Sequence, residues 1–302
     1  MRTELKYHGA VVPLVTPFTA QGTLDEAALD RLVDAQLAGG VDGIFVLGTT
    51  GEGAHVPREF RLRLVEQTVR RVDQRALVYA GVGDTHPEAI DSGNAFLRAG
   101  ADVIVSRPPV ALPLPQIEPW FRCLLDGLDG KLFIYNMPMT TKVSIPLDAI
   151  ESLRSHPRLA GVKDSENDPK RLEELLQRFG GKKDFSVFIG VGALMEKGLK
   201  LDADGIVPSV GNLIPDVCHQ LCAAAKAADW SAAAKLSARM SAVASLYQKG
   251  RNLNESLAAL KAAMHCRGLC APDVMPPLRK VSEMELEKIR HQMMELHLLN
   301  GK

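Results

Sequence analysis

Short apolar runs alternate with longer amphipathic ones along most of this 302-residue chain. Strand candidates are "AVVPLVTPF" (10–18), "GIFVLG" (43–48), "ALVYAGV" (76–82), "DVIVSRP" (102–108), "LFIYNMP" (132–138), "LAGVKD" (159–164), "FSVFIGV" (185–191) and "GIVPSV" (205–210). The runs are nearly continuous in apolar residues, which predicts strands buried on both faces and therefore parallel. Each is followed by a stretch with helical spacing. In "TLDEAALDRLVDAQLAGG", Thr23 is expected to cap the helix and acids fill its first turn. Apolar residues then recur every three or four positions until Gly39-Gly40 stops it.

Eight such units over roughly 220 residues predict a (β/α)8 TIM barrel. An open doubly wound sheet is the competitor, but "GVGDTHPEA" after the third run lacks the third glycine of a dinucleotide-binding loop. Strand signals cease after "GNLIPD". Three helices are expected beyond it, in 216–250, in "LNESLAALKAAMHCRGL" and in "SEMELEKIRHQMMELHLL". The expected organisation is a catalytic barrel over 1–228 and a C-terminal α-helical domain over 229–302.

Thirty-six basic residues balance thirty-six acidic ones, so charge gives no reason to expect nucleic acid or an anionic membrane as a partner. The N-terminal "MRTELKYHGA" lacks the apolar core of a signal peptide, and no run of about 18 apolar residues follows, so a cytoplasmic location is expected. Five cysteines, an odd number, argue against a disulfide framework. Cys218 and Cys222, like Cys266 and Cys270, lie one helical turn apart beside His219 and His265. Neither pair has C-x-x-C spacing, and no metal site is expected.

In a parallel barrel the chemistry gathers where the strands end. The second strand leads into "GTTGEG", where Gly48 and its companions free backbone N–H groups, and Thr49 and Thr50 add hydroxyls; such a turn suits a carboxylate. The fifth ends in "YNMP", projecting the phenol of Tyr135, a proton carrier once neighbouring charge poises it. Asn136 is expected to order the turn. The sixth ends in Lys163, and an amine in partly apolar surroundings becomes a nucleophile near neutral pH. Glu52 and Asp164 are read as solvated or structural charges. Separately, each group has an ordinary structural explanation. Jointly, a carboxylate cradle, a phenol and an amine are what a 2-oxo acid needs to react as an imine, opening carbanion chemistry at C3 with no cofactor and no metal.

These motifs, in this order, resemble the dihydrodipicolinate synthase / N-acetylneuraminate lyase family of Schiff-base class I aldolases. The likeness extends over nearly the whole chain, from "VPLVTPF" through "GTTGEG", "YNMP" and "GVKDS" to "DADGIVPSVGN" and "CRGLCAPDVMPPL". It implies a (β/α)8 barrel with a C-terminal helical domain, commonly a homotetramer built from two tight dimers. It further implies that Lys163 forms the Schiff base with pyruvate or a related 2-oxo acid and that Tyr135 donates and accepts protons. Thr49 would join the relay and Thr50 bind the substrate carboxylate. Gly190 would line the pocket, and Val207 would turn its carbonyl toward the pyruvate part.

The second-substrate side departs from the lysine-pathway synthases of that family. Pro109 stands at the position of a relay tyrosine, Thr140 at that of a carboxylate-binding arginine, Lys142 at a glycine and Gly53 at a common serine. Proline has no proton to relay, and threonine makes no bidentate carboxylate contact. Arg107 and Lys142 are the candidate replacement charges. A hydroxylated aldehyde suits Thr140, Thr141 and Ser209, so the leading expectation is an aldolase or lyase acting on a 2-keto-3-deoxy sugar acid or similar 4-hydroxy-2-oxo acid. The dihydrodipicolinate synthase reaction, condensing pyruvate with aspartate semialdehyde, is the alternative. A dehydratase using the same imine, or a non-catalytic 2-oxo-acid sensor, comes after it.

Overall fold

The computed structural model describes residues 7–83 and 85–299; residues 1–6 of the N-terminal stretch, and Asp84 of the "GVGDTHPEA" turn, lie outside the described residues. The strands are β1 (Gly9–Pro13), β2 (Gly43–Val46), β3 (Leu77–Gly81), β4 (Val103–Ser106), β5 (Lys131–Asn136), β6 (Leu159–Asp164), β7 (Ser186–Ile189) and β8 (Gly205–Ile206). They pair in sequence order, every ladder parallel, and β8 returns to β1 to close the barrel. Closure rules out the open doubly wound sheet.

The helices on the barrel are α1 (Glu26–Ala38), α2 (Arg58–Val72), α3 (His86–Arg98), α4 (Ile117–Gly127), the single turn α5 (Pro138–Thr141), α6 (Leu147–Leu153), α7 (Pro169–Phe179), α8 (Met195–Lys200) and α9 (Pro215–Lys226). Beyond them come α10 (Trp230–Gln248), α11 (Leu253–Cys266) and α12 (Glu283–Glu295). No helix among the described residues is long and apolar enough to cross a membrane.

Three local expectations are corrected. The cap of α1 is Asp25, which accepts from the Ala28 amide at 2.9 Å, while Thr23 bonds to Thr19 in the turn before it. Residues 216–250 form two helices, because Ala228 turns left-handed at φ +54° and Asp229 caps α10 through the Ala232 amide. Alanine-rich sequence hides such a break; the capping aspartate was its one local signal. Most strands are also shorter than their apolar runs, and β8 has only two residues. Apolar residues past the strand ends, such as Val207, whose amide still donates to the Ile189 carbonyl at 2.8 Å, stay buried in the segments that crown the barrel.

Two apolar shells result. Toward the helices, Ile44, Ile104, Ile134, Val162 and Val187 meet side chains such as Leu64 and Phe121. Inside the barrel, Tyr79, Phe133 and Phe188 pack edge-on, with Tyr79 and Phe133 centroids 5.8 Å apart at 89°. Each fully buried large side chain stabilises by about 1.5–3 kcal/mol. This packed plug closes the lower barrel and leaves polar groups room only at the strand ends.

The turn after β2 is the tightest place at that end. Leu47 and Glu52 both adopt positive φ, +59° and +55°, and a Cβ on Gly53 would stand 1.9 Å from the Leu47 carbonyl oxygen. Only glycine fits. Gly53→Ala is therefore expected to destabilise the fold by about 2 kcal/mol or more, read as a lowered Tm. An unchanged Tm would show that the turn relaxes freely.

Candidate active site

The register of β5 against β6 sets Tyr135 opposite Lys163 and Asn136 opposite Asp164. Lys163 and Tyr135 turn into the barrel, where Lys163 Nζ lies 3.9 Å from the centre of the Tyr135 ring and 5.0 Å from that of Phe45. The Thr49 hydroxyl approaches the Tyr135 hydroxyl at 3.3 Å. Lys163 is 6% exposed and Tyr135 5%. An ammonium so enclosed is unfavourable unless compensated, and two aromatic faces with a phenol supply the compensation.

The phenol is correspondingly perturbed. Burial pushes Tyr135 upward, but the Lys163 charge and hydrogen bonding with Thr49, Lys163 and Ser165 outweigh it and hold the phenol below its ordinary range. Tyr79 and Tyr247 show the opposite: buried without a cation, both are pushed up. A phenol lowered toward working pH is a better acid, and its phenolate a usable base.

Asp164, next to Lys163, points outward into a buried network. It accepts from Asn136 Nδ2 at 2.9 Å, from Arg171 Nε at 3.0 Å and from the Glu166 amide at 2.9 Å. Asn136 also donates to Glu166 at 3.0 Å and accepts from the Ile145 amide at 3.0 Å. Burial raises the Asp164 carboxyl despite these donors. Neither Asp164 nor Glu52 is a solvated charge: Glu52 is buried against Lys261 of α11. Asn136 orders the turn as expected, by bonding across β5 and β6.

Gly48, Thr49, Tyr135, Thr140 and Arg107 line one cavity of about 460 Å³ at the barrel mouth. Thr50, next along the turn, is half-buried. Arg107 Nη1 donates to Thr140 Oγ1 at 3.1 Å, which brings a guanidinium to the second-substrate side. Lys142, the other candidate charge, is exposed and its Nζ bonds back to the Met139 carbonyl. Gly190 lies against Lys163, since a Cβ there would meet Ser165 Oγ at 2.1 Å and Lys163 Cε at 3.2 Å. Val207 packs in the interior cluster that includes Tyr135 and Phe45. Ser209 is not brought to the Tyr135 cavity. It lines a second one, of about 360 Å³, together with Gly190, and its hydroxyl is 2.7 Å from that of Tyr247.

Two neighbours escaped the sequence reading. Ser165 stands two residues past Lys163, so strand alternation puts it on the same face. Phe45 stands in an apolar run, where nothing marked one side chain as the face for an ammonium. Among the described residues no group of three or more His, Cys, Asp or Glu side chains is arranged to hold a metal. Burial pushes the Cys222 thiol to about 12 and that of Cys270 to about 11, which keeps both protonated.

Comparison with known proteins gives a consistent result. The model of the dihydrodipicolinate synthetase family matches residues 6–296. The chain is 30% identical over 280 residues to the 4-hydroxy-tetrahydrodipicolinate synthase of Thioalkalivibrio sulfidiphilus, covering 92% of this chain and 93% of that one. Among solved structures, dihydrodipicolinate synthase from Bacteroides thetaiotaomicron superposes with a TM-score of 0.90 at 30% identity, over 95% of this chain and 98% of that. YagE, an Escherichia coli K12 prophage protein of the dihydrodipicolinic acid synthase family in complex with pyruvate, gives 0.89 at 26% identity, over 97% and 99%.

The lowered phenol has a measurable sign. Its folded value lies below the unfolded value of about 10, so ionisation of Tyr135 favours the folded state. Its contribution grows as pH rises past the folded value and is complete above the unfolded one. Ultraviolet difference titration should show one phenol ionising earlier than free tyrosine, absent in Tyr135→Phe. In Lys163→Met burial prevails, and Tyr135 should ionise later than free tyrosine. An early phenol persisting in Lys163→Met would separate the two side chains electrostatically.

Proposed function

The chain belongs to the dihydrodipicolinate synthetase family, and from that membership we propose that it condenses pyruvate with an aldehyde that carries its own carboxylate. Enzymes of this family are lyases that work through a lysine imine with no added cofactor, and this chain is one of them. The observation that carries the assignment of residues is the unbroken contact from Lys163 to Tyr135 to Thr49 at one barrel mouth.

Lys163 Nζ attacks C2 of pyruvate, and the carbinolamine loses water as Tyr135 supplies the proton that leaves with the hydroxyl. Thr49 carries protons between Tyr135 and the cavity. The turn at Gly48, with Thr50, holds the pyruvate carboxylate, while Gly190 and Val207 bound the imine. The Tyr135 phenolate left by the loss of water takes a proton from C3, the protonated imine takes up the electron pair of the broken C–H bond, and the resulting enamine attacks the aldehyde carbon. The new alkoxide is protonated through the same relay. In the synthase reaction the amine of aspartate semialdehyde then displaces Lys163 at C2, closing the ring and freeing the lysine.

Arg107 supports a carboxylate on the second substrate. It lines the cavity with Tyr135 and is bonded to Thr140, so a guanidinium from the β4 loop fills the function an arginine after "YNMP" would have. The sugar-acid cleavage expected first has less support. Its hydroxyl partners are engaged elsewhere: Ser209 with Tyr247, Thr140 with Arg107 and the Met137 carbonyl, and Thr141 with the carbonyls of Met137 and Val143. The relatives bearing the synthase name point the same way. Assembly belongs to the same reading. Val110, Leu114 and Met139 are each more than half exposed, on the segments after β4 and β5 that the Ala111 amide and Thr141 carbonyl join. An apolar face of this kind suits burial between copies of the chain in a homotetramer.

Borohydride with pyruvate should leave a permanent adduct on Lys163, and Lys163→Ala should lose both adduct and turnover. Tyr135→Phe should slow turnover by roughly 10²–10⁴-fold. Arg107→Met should raise KM for aspartate semialdehyde by roughly 10- to 100-fold with that for pyruvate nearly unchanged. Pyruvate release from a sugar-derived keto acid, with no synthase turnover, would replace the proposed second substrate; adduct without any turnover would indicate a sensor. Sedimentation velocity should show a tetramer that Val110→Asp with Met139→Asp dissociates, and a wild-type monomer would end the assembly proposal.

A further inference from the structure

The proposed relay leaves one pair of buried charges without a task. Glu52 closes the "GTTGEG" turn, and its side chain leaves the turn toward the C-terminal helices. Its Oε1 lies 2.5 Å from Lys261 Nζ, and its Oε2 accepts the Met275 amide at 2.8 Å. Lys261 also donates to the Asp273 carbonyl at 2.8 Å and sits 4.6 Å from the centre of the Phe18 ring. Each side chain is 1% exposed.

Stability alone accounts poorly for the pair. Desolvating two ions offsets most of their attraction, and an apolar pair of similar volume often serves as well. Lys261 is surrounded along α11 by Leu257, Ala258, Leu260 and Ala262, all buried, so an apolar residue would continue the face. What an ion pair adds is direction. The Glu52 amide bonds to the Thr49 carbonyl at 3.1 Å, and the following Gly53 amide bonds to Gly48 at 3.0 Å. The Glu52 carboxylate and the Thr49 hydroxyl thus hang from one hydrogen-bonded turn. Thr16 braces the same turn from the β1 side by donating to the Gly51 carbonyl at 2.6 Å.

We propose that Lys261 is a positioning residue: from α11 it anchors Glu52 and so holds the Thr49 hydroxyl in line with that of Tyr135. The C-terminal helices thus tune the relay from α11, which also lines the cavity through Leu253, Asn254 and Leu257. This rests on the Thr49–Tyr135 relay proposed above.

The test compares Lys261→Met, the double variant Glu52→Gln/Lys261→Met, and Glu52→Asp, which keeps the charges but shortens the reach by one methylene. Lys261→Met should lose stability, since it strands a buried carboxylate, and the double variant should regain it. In the double variant and in Glu52→Asp, kcat should fall about 100-fold, as expected for a displacement of about 1 Å. KM for pyruvate and the final extent of borohydride trapping on Lys163 should change little. The Tyr135 phenol should ionise later, having lost its Thr49 partner. Wild-type kcat and an unmoved Tyr135 titration in a stable double variant, or in Glu52→Asp, would reduce Lys261 to a structural residue. If the wild type itself fails to trap pyruvate, the proposed function falls, and the Tyr135 titration still decides the positioning.

Discussion

The site depends on one pairing, the register of β5 against β6. Tyr135 and Lys163 face each other across it, and slipping either strand by one residue would turn one of them out of the barrel. The ladder shifts register between Leu132 and Phe133, so the pairing at the strand ends is not simply inherited from the strand starts. Asn136 fixes it there. Its amide spans from the Ile145 backbone to Asp164 and Glu166, tying the ends of the two strands together outside the barrel while the reactive pair meets inside.

Buried charge is used in two ways around this pairing. Among the described residues no carboxylate pairs with Lys163, which lies against aromatic faces and a phenol. Asp164 and Glu52 are each matched with a cation, Arg171 and Lys261, and with backbone amides. Matched charges hold position without reacting. Similar burial thus sets one amine against π faces and pins two carboxylates, and partner geometry alone separates these arrangements.

The barrel and its loops answer different questions. In the proposed reaction, strand ends carry the imine chemistry on rigid elements, and the loops after β4 and β5 select what the enamine attacks. In the same proposal Arg107, two residues before Pro109, returns a charge to the second-substrate side. The cation sits on the neighbouring loop and bonds to the threonine that stands where an arginine would be.

Parallel strands buried on both faces were legible because apolar runs of that length, alternating with capped helices, have few other ways to bury themselves. Lys163, Tyr135 and Thr49 were legible because each polar group interrupts such a run at its end. The break at Ala228, the two-residue β8 and the direction of Ser209 were not, since each follows from packing against residues distant in the chain. Glu52 is the plainest case. Its sequence neighbours suggested a solvated or structural charge, yet its partner lies 209 positions away on α11. The sequence by itself determined which groups the strand ends present, because local periodicity sets the face of each side chain. Only the closed barrel and its terminal helices decided which of those groups touch, because proximity between distant residues is a property of the packed chain.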